Sequence, residues 1–438
     1  MSKPPKRKGN PDFRHFVSPP APPSEALEAR IISWLTPGTF SNFQGVNRDG
    51  KPMRERTLTL SVMAAIVISL VYRQVRYLAE VVRLLEQEGL LWAEAQRVSK
   101  QAVSQRMLSL PAELFLEMFN SVAERIRSQP SKAVSEDWQG VQQRFGAVWI
   151  ADGSTLSRLQ RRLAVQQESQ DNPLAGKLMM VVEAFTHRPV VAWYDEEAGR
   201  SDHRWSEQLL ALLPEGGLLI VDMGFFAFAW FDQMTQAAKF FLTRLKQNVR
   251  YDVLQTLSSG PYYRDEIIKM GRSRNYPCEH PVRLVSVLWG DTWHRYLTNV
   301  LEPEMLSPQQ VCELYRRRWT IESAFLLTKR LLGLAYFWVG GTNGVKLQLY
   351  ATWIFYAVLN DLCSDVAVAL SQPIEKISVE MVFRSLYHYA RALTRHPETE
   401  LIPFLLENHK SFGLVKATRK RQRQKHDRSL EIWGQALC

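Results

Sequence analysis

Residues 314–333 read LYRRRWTIESAFLLTKRLLG, and four polar side chains in that stretch decide how the rest of the chain is read. Tyr315, Arg318, Glu322 and Lys329 stand in the spacing Tyr-x2-Arg-x3-Glu-x6-Lys. On an α-helix, residues set apart in this way fall within an arc of ~60°. The spacing predicts one continuous helix carrying a polar stripe ~21 Å long. Leu314, Trp319, Ile321, Phe325 and Leu326 are then free to face elsewhere and anchor it. A lone carboxylate among Arg and Lys on one stripe suits an acid that holds a metal while its neighbours hold phosphates. An ordinary salt-bridged helix face uses the same residue types, so partners elsewhere in the chain are needed to decide.

Working outward, two further acids stand at the ends of apolar runs. Ala147 to Ala151 is a short strand pattern ending at Asp152-Gly153-Ser154-Thr155, and Gly217 to Val221 is another ending at Asp222-Met223-Gly224-Phe225. Alone, Asp152-Gly153 reads as a turn and Asp222 as a helix cap. Between them, Lys177 to Phe185 and Val190 to Tyr194 flank a turn at His187-Arg188-Pro189 and read as a hairpin. Trp205 to Leu213 reads as helix, as does 227–238, and Phe240 to Leu245 as a strand. Strands alternating with helices, with acids at strand ends, predict an α/β domain. Residues 247–303 break the rhythm: Val282 to Trp289 and Trp293 to Val300, split by Gly290-Asp291, read as a hairpin within a strand-rich insertion. Helices resume at Ser307.

The N-terminal third is helical. Leu78, Val81, Val82 and Leu85 repeat at helical period, and another helix starts at Pro111. Ser99 can cap a helix that exposes Lys100, Gln101, Ser104 and Gln105 and turns Ala102 and Val103 inward, the chemistry of a DNA-recognition helix and equally of a capped surface helix.

Composition sets the limits. The chain has 438 residues, 46% hydrophobic and 23% charged, which excludes bulk disorder and a disulfide-dense scaffold. Its four cysteines form no CxxC pair, and Cys278 near His280 has no second ligand pair at zinc spacing. Residues 1–23 lack the apolar region of a signal peptide. The uncharged runs Thr57 to Tyr72 and Leu347 to Asn360 fall short of the ~20 residues that span a bilayer. A cytoplasmic, nucleoid-associated protein is expected. Of the net charge of +11, residues 1–14 carry +4 and residues 416–428 carry +6, the latter including Lys420, Arg421 and Arg423. Such tails suit a polyanion partner.

Taken together, the three motifs resemble the prokaryotic insertion-sequence transposases of the DDE type, the hairpin-forming cut-and-paste kind with the Tyr-Arg-Glu-Lys signature. The likeness runs over about 145–335. It implies an α/β, ribonuclease-H-like catalytic domain interrupted by the insertion, with helical N- and C-terminal regions. The expected organisation is a basic tail (1–24), a helical DNA-binding region and linker (25–140), the first part of the catalytic domain (141–246), the insertion (247–303), the catalytic helix (304–340) and a C-terminal helical region with a basic tail (341–438).

The resemblance also implies roles. Asp152, Asp222 and Glu322 would be the catalytic acids and would hold two Mg²⁺ ions, with Mn²⁺ as a substitute, Asp152 bridging them. Tyr315, Arg318 and Lys329 would bind phosphates near the transposon end and steady a flipped base. A tryptophan of the insertion would stack on that base. Trp293 lies near the matching strand, although an anchor on Leu297-Thr298 puts His294 there instead, and Trp289 is a second choice. Lys246 and Arg250 could also reach DNA. The partners implied are double-stranded DNA, both transposon ends and target, and a second copy of the chain; no membrane is implied. Two rival functions stay open: a ribonuclease-H-like endonuclease that cuts without joining, and a domesticated DNA-binding protein without catalysis.

Overall fold

The computed structural model describes residues 25–35, 57–75, 77–130, 136–155, 176–197, 199–271, 277–330 and 342–416. The expected N-terminal basic tail, and Lys420, Arg421 and Arg423, lie outside the described residues. Lys416, at the base of the C-terminal tail, lies inside: its Nζ donates to the Glu375 carbonyl at 2.9 Å and its N–H to the Lys376 carbonyl at 2.7 Å.

Among the described residues, nine strands form one mixed sheet in the order β3-β2-β1-β4-β5-β9-β8-β7-β6. β1 is Val148–Thr155, β2 Lys177–Glu183, β3 Pro189–Asp195, β4 Leu218–Val221 and β5 Phe240–Arg244. The strands of the insertion are β6 Tyr251–Gly260, β7 Tyr263–Met270, β8 Val282–Trp289 and β9 Thr292–Thr298. β1 runs antiparallel to β2 and parallel to β4, and β4 runs parallel to β5. The insertion does not stand apart from the sheet. β9 pairs antiparallel with β5, and β8, β7 and β6 extend the sheet as a meander.

The sheet is covered on both faces, and the sequence shows it as alternation. Val148 and Ile150 of β1, Leu178, Met180 and Val182 of β2, and Leu218 and Ile220 of β4 belong to one core. The residues between them, Ala151, Met179, Val181, Leu219 and Val221, belong to the other. Successive side chains of a strand point to opposite faces, so these near-continuous apolar runs are strands buried on both sides. Each Val, Leu, Ile or Met side chain among them contributes about 1.5–3 kcal/mol to folding when taken from water.

The first face carries the helices α1 Glu25–Trp34, α2 Leu60–Tyr72, α3 Leu78–Gln87, α4 Lys100–Ser109, α5 Glu113–Ser128 and α6 Glu136–Phe145. From the C-terminal half come α9 Pro308–Arg317, α10 Trp319–Arg330, α11 Thr342–Ala369, α12 Val379–Arg395 and α13 Leu401–Glu407. The second face carries α7 Ser206–Leu212 and α8 Phe228–Gln236. The apolar runs 57–72 and 347–360 are buried in α2 and α11. No helix of the described residues is long and apolar enough to cross a membrane.

The helix expected over 205–213 is α7, preceded by a 3-10 turn, Asp202–Trp205. The signature helix, by contrast, is not continuous. Ser307 caps α9 with a reciprocal capping box to Gln310, Pro308 opens it, and it ends at Arg317. Arg318 donates its N–H to Tyr315 O at 3.1 Å and its carbonyl accepts from Ile321 N at 3.3 Å, so the chain tightens to i→i+3 bonds before α10 begins.

Candidate active site

The parallel register puts the two strand-end acids side by side. Ala151 of β1 is paired with Val221 of β4, so Asp152 and Asp222 are the next pair along strands ~4.8 Å apart. Both continue the face of Ile150 and Ile220, the face on which α10 packs. One strand further, Ile220 pairs with Leu242, which brings Arg244 level with Asp222 on the same face. The row Asp152, Asp222, Arg244 thus follows from three strand ends in register. Arg244 has no recognisable motif around it, and only the pairing reveals its place.

Over this row lie the signature residues. Arg318 is buried, 9% exposed, and donates from Nη1 to Asp152 Oδ2 at 2.8 Å and from Nη2 to Glu322 Oε1 at 3.2 Å. The tightened turn at Arg318 lets one guanidinium reach both acids. Asp152 Oδ1 also accepts the Gly153 N–H at 2.9 Å, and Asp222 Oδ1 accepts the Gly224 N–H at 2.7 Å, capping the 3-10 turn Met223–Phe225. Asp222 therefore does cap a turn, and it stands in the row as well.

Burial pushes the Asp152 carboxyl up to about 7; Arg318 pulls it down, Asp222 pushes it up, the Gly153 N–H pulls it down and Glu322 pushes it up. The Asp152 carboxyl thus feels the charge of both other acids. Burial pulls the Arg318 guanidinium down, but Asp152, Tyr315 and Glu322 together hold its pKa above the usual value.

Tyr315 is buried, its ring 5.3 Å from that of Tyr296 on β9. Burial raises its pKa despite Arg318 and Arg244, so the phenol keeps its proton. Lys329 lies on α10. The tryptophans of the insertion fall on opposite faces. Register pairs Val285 with Tyr296, Val287 with His294 and Trp289 with Thr292, so Trp289 and His294 share the face of Tyr315. Leu288 pairs with Trp293, which lies on the other face under Arg264, 5.5 Å from its ring centroid. Trp289 is instead covered by Arg316 at 4.3 Å and meets His294 edge-on. Burial, with Arg244 nearby, lowers the His294 pKa.

A further correction concerns Trp319. It does not anchor the helix: it is 59% exposed and lies 5.2 Å from the Arg318 guanidinium, beside the acids. Away from this row, Lys100, Gln101 and Gln105 are exposed on α4 and Ser104 is half-buried, while Val103 is buried. Ser99 accepts the Ala102 N–H at 3.0 Å, as its capping role requires. Lys246 and Arg250 are exposed beyond β5.

The donor set suits a hard cation. The converging groups are carboxylates, and Mg²⁺ takes oxygen ligands. In the described residues, Asp152 and Glu322 both turn an oxygen to one cationic group, the Arg318 guanidinium, which stands where opposite charge is needed. Among the described residues, no three acids are closed as they stand on a point that could hold a metal ion. Arg318 would have to give up at least one of its acids for a metal to sit between them.

Residues 150–357 match the family model described as transposase DDE domain. A candidate transposase (y4zB) of Sinorhizobium fredii is 27% identical over 156 residues, 34% of this chain and 43% of that protein. A candidate transposase for the insertion sequence element IS4SA of Synechocystis is 24% identical over 163 residues, 36% of this chain and 45% of that protein. The matched part thus spans less than half of either relative. Among solved structures, a piggyBac transposase synaptic complex with hairpin DNA aligns loosely, at a TM-score of 0.40 and 10% identity, covering 91% of this chain and 84% of that one.

Proposed function

We propose that this chain is a DNA transposase of the insertion-sequence DDE type, acting on its element's inverted repeats by metal-dependent strand cleavage and strand transfer in a cut-and-paste reaction. The observation that carries the reading is the row Asp152–Asp222 on neighbouring parallel strand ends, overlain by Glu322 and bridged to it by Arg318. The family match over 150–357 supports it. The strand order β3-β2-β1-β4-β5, with only β1, β4 and β5 parallel, also supports a ribonuclease-H-like catalytic core.

Asp152, Asp222 and Glu322 would hold two Mg²⁺ ions, with Mn²⁺ as a substitute. Bound there, the metals would lower the pKa of the attacking water or strand-end hydroxyl and stabilise the leaving oxygen. The chain's own groups do the rest. Arg244, Arg318 and Lys329 supply positive charge for backbone phosphates, Arg318 exchanging a carboxylate for a phosphate when DNA arrives. Tyr315, kept protonated, donates a hydrogen bond. Trp289 and the exposed Trp319 offer stacking faces for an unpaired base, and Trp289 is favoured over Trp293 because it shares the face of Tyr315. The exposed face of α4 would read the repeat, with Lys420, Arg421 and Arg423 adding non-specific affinity. A homodimer would hold two transposon ends.

The test supplies a labelled duplex ending in the element's inverted repeat, a target plasmid and Mg²⁺. Strand-transfer product is the expected result. Cleavage without joining would replace the reading with a nuclease, and binding without either would replace it with a DNA-binding regulator.

A further inference from the structure

A fourth acid lies behind the row, on the other side of the backbone. Asp202 opens the 3-10 turn before α7, and its carboxylate is wedged between the two glycines that follow the catalytic aspartates. A Cβ at Gly153 would overlap Asp202 Oδ1, whereas one at Gly224 would stand 3.4 Å from Asp202 Oδ2 and closer, 2.8 Å, to Asp222 Oδ1. Both oxygens lie close to the Gly153 position, Oδ2 at 3.1 Å, and Oδ2 also faces the Gly224 segment. Glycine at 153 is what lets the Asp202 carboxylate approach so closely, while Gly224 gives room for the Asp222 cap and leaves Asp202 in ordinary contact.

The wedge is itself held. Lys177 Nζ lies 2.6 Å from Asp202 Oδ1 and donates to the Arg200 carbonyl at 3.1 Å. Both side chains are largely buried, 12% and 14% exposed. Lys177 is the first residue of β2 and is paired with Thr155, so the ion pair ties β2, the end of β1 and the end of β4 together. Beyond Asp202, Trp205 is buried in the second core and Trp230 donates to the Ser206 carbonyl at 3.1 Å, which fixes the turn from behind.

The face decides the role. Gly153 follows the parity of Ala151, in the second core, whereas Asp152 follows Ile150, in the first. Asp202 therefore presses on the Gly153 backbone from the side opposite the Asp152 carboxylate, and lies against the turn that Asp222 caps. We propose that Asp202, locked by Lys177, is a positioning residue that sets the relative placement of Asp152 and Asp222 for metal binding.

This inference rests on the metal-site reading above, and the experiment separates the two. In the metal-free full chain, Gly153→Ala lowers the melting temperature, and in an Asp202→Ala background, where the clashing carboxylate is gone, the same substitution lowers it less. An equal loss in both backgrounds overturns the wedge. Mn²⁺ titration followed by electron paramagnetic resonance then tests the positioning. Lys177→Met removes a positive charge, so electrostatics alone would tighten Mn²⁺ binding. Loss of the lock instead weakens it, by about tenfold or more. Asp202→Asn shifts binding in the same weakening direction. Wild-type or tighter Mn²⁺ binding by Lys177→Met, with binding lost in Asp152→Asn, overturns the positioning role alone. Wild-type binding by Asp152→Asn overturns the metal site and this inference with it.

Discussion

Asp152 is where burial and charge meet most sharply. Its ordinary pKa of 3.8 rises to about 7 in the folded, metal-free chain, first through burial. Between those values the folded chain binds a proton that the unfolded chain has released. Stability therefore falls as pH rises from about 4 to about 7, the reverse of an aspartate whose pKa is held below its ordinary value, because burial outweighs the Arg318 ion pair. Asp152→Asn cannot titrate. Urea melts at pH 4.5 and 7.5 should show the wild type losing stability relative to Asp152→Asn across that window; a constant gap would mean that Asp152 is not buried as described.

What could be read at this scale was the identity of the acids, because each sits beside a motif: Asp-Gly-Ser, Asp-x-Gly-Phe and the signature. Arg244 and Asp202 carry no such mark. Arg244 is visible only from strand register, and Asp202 only from two glycines that approach it in space. Trp293 and Trp289 differ by face, and a one-residue error in register exchanges them.

At the scale of elements, the periodic segments were the legible ones. Val282 to Trp289 was read with its observed bounds, and Ser307 caps α9 where helices were expected to resume. The break at Arg318 was not legible, since every residue around it is compatible with a continuous helix and the tightening serves the contacts with Asp152 and Glu322. β6 and β7 were hidden too: their exposed and buried residues do not alternate cleanly, and bulges interrupt their pairing.

Two elements carry predictions. Asn343, buried in the first turn of α11, accepts the Ala112 N–H and donates to the carbonyls of Leu110, Met107 and Leu108, so it fixes the junction between α4 and α5. Asn343→Ala leaves these groups buried without it and should cost on the order of 3 kcal/mol in chemical denaturation. A loss under ~1 kcal/mol would show that the junction holds without it. On α4, Lys100→Ala should weaken binding to all duplexes alike, whereas Gln101→Ala and Gln105→Ala should narrow the gap between the inverted repeat and a scrambled duplex. If the gap is unmoved, α4 does not read bases.

Across the whole molecule, charge and chemistry are separated. The tails hold +10 of the +11, while the described body brings Asp152 and Asp222 at two strand ends together with Glu322 of α10. The base of the C-terminal tail is seated by Lys416 on Glu375, so a deletion should begin after it. Removing residues 417–428 should flatten the dependence of DNA affinity on salt, by ~0.9 in logarithmic slope for each phosphate that the tail no longer neutralises. An unchanged slope would mean that the tail does not touch DNA. The two-faced burial of the sheet was legible as apolar runs, but its continuity through the insertion was not, because the pairing of β9 with β5 joins distant segments.

If Asp152, Asp222 and Glu322 act as one site, cleavage kinetics on the inverted-repeat duplex will show it. Groups that act as a unit are strongly non-additive. Alanine at each acid should reduce Mg²⁺-dependent cleavage by about a thousandfold or more, with DNA binding retained, and the double variant Asp152→Ala/Glu322→Ala should be no slower than either single one. A Glu322→Ala protein that cuts at the wild-type rate, or losses that multiply in the double variant, would contradict the account.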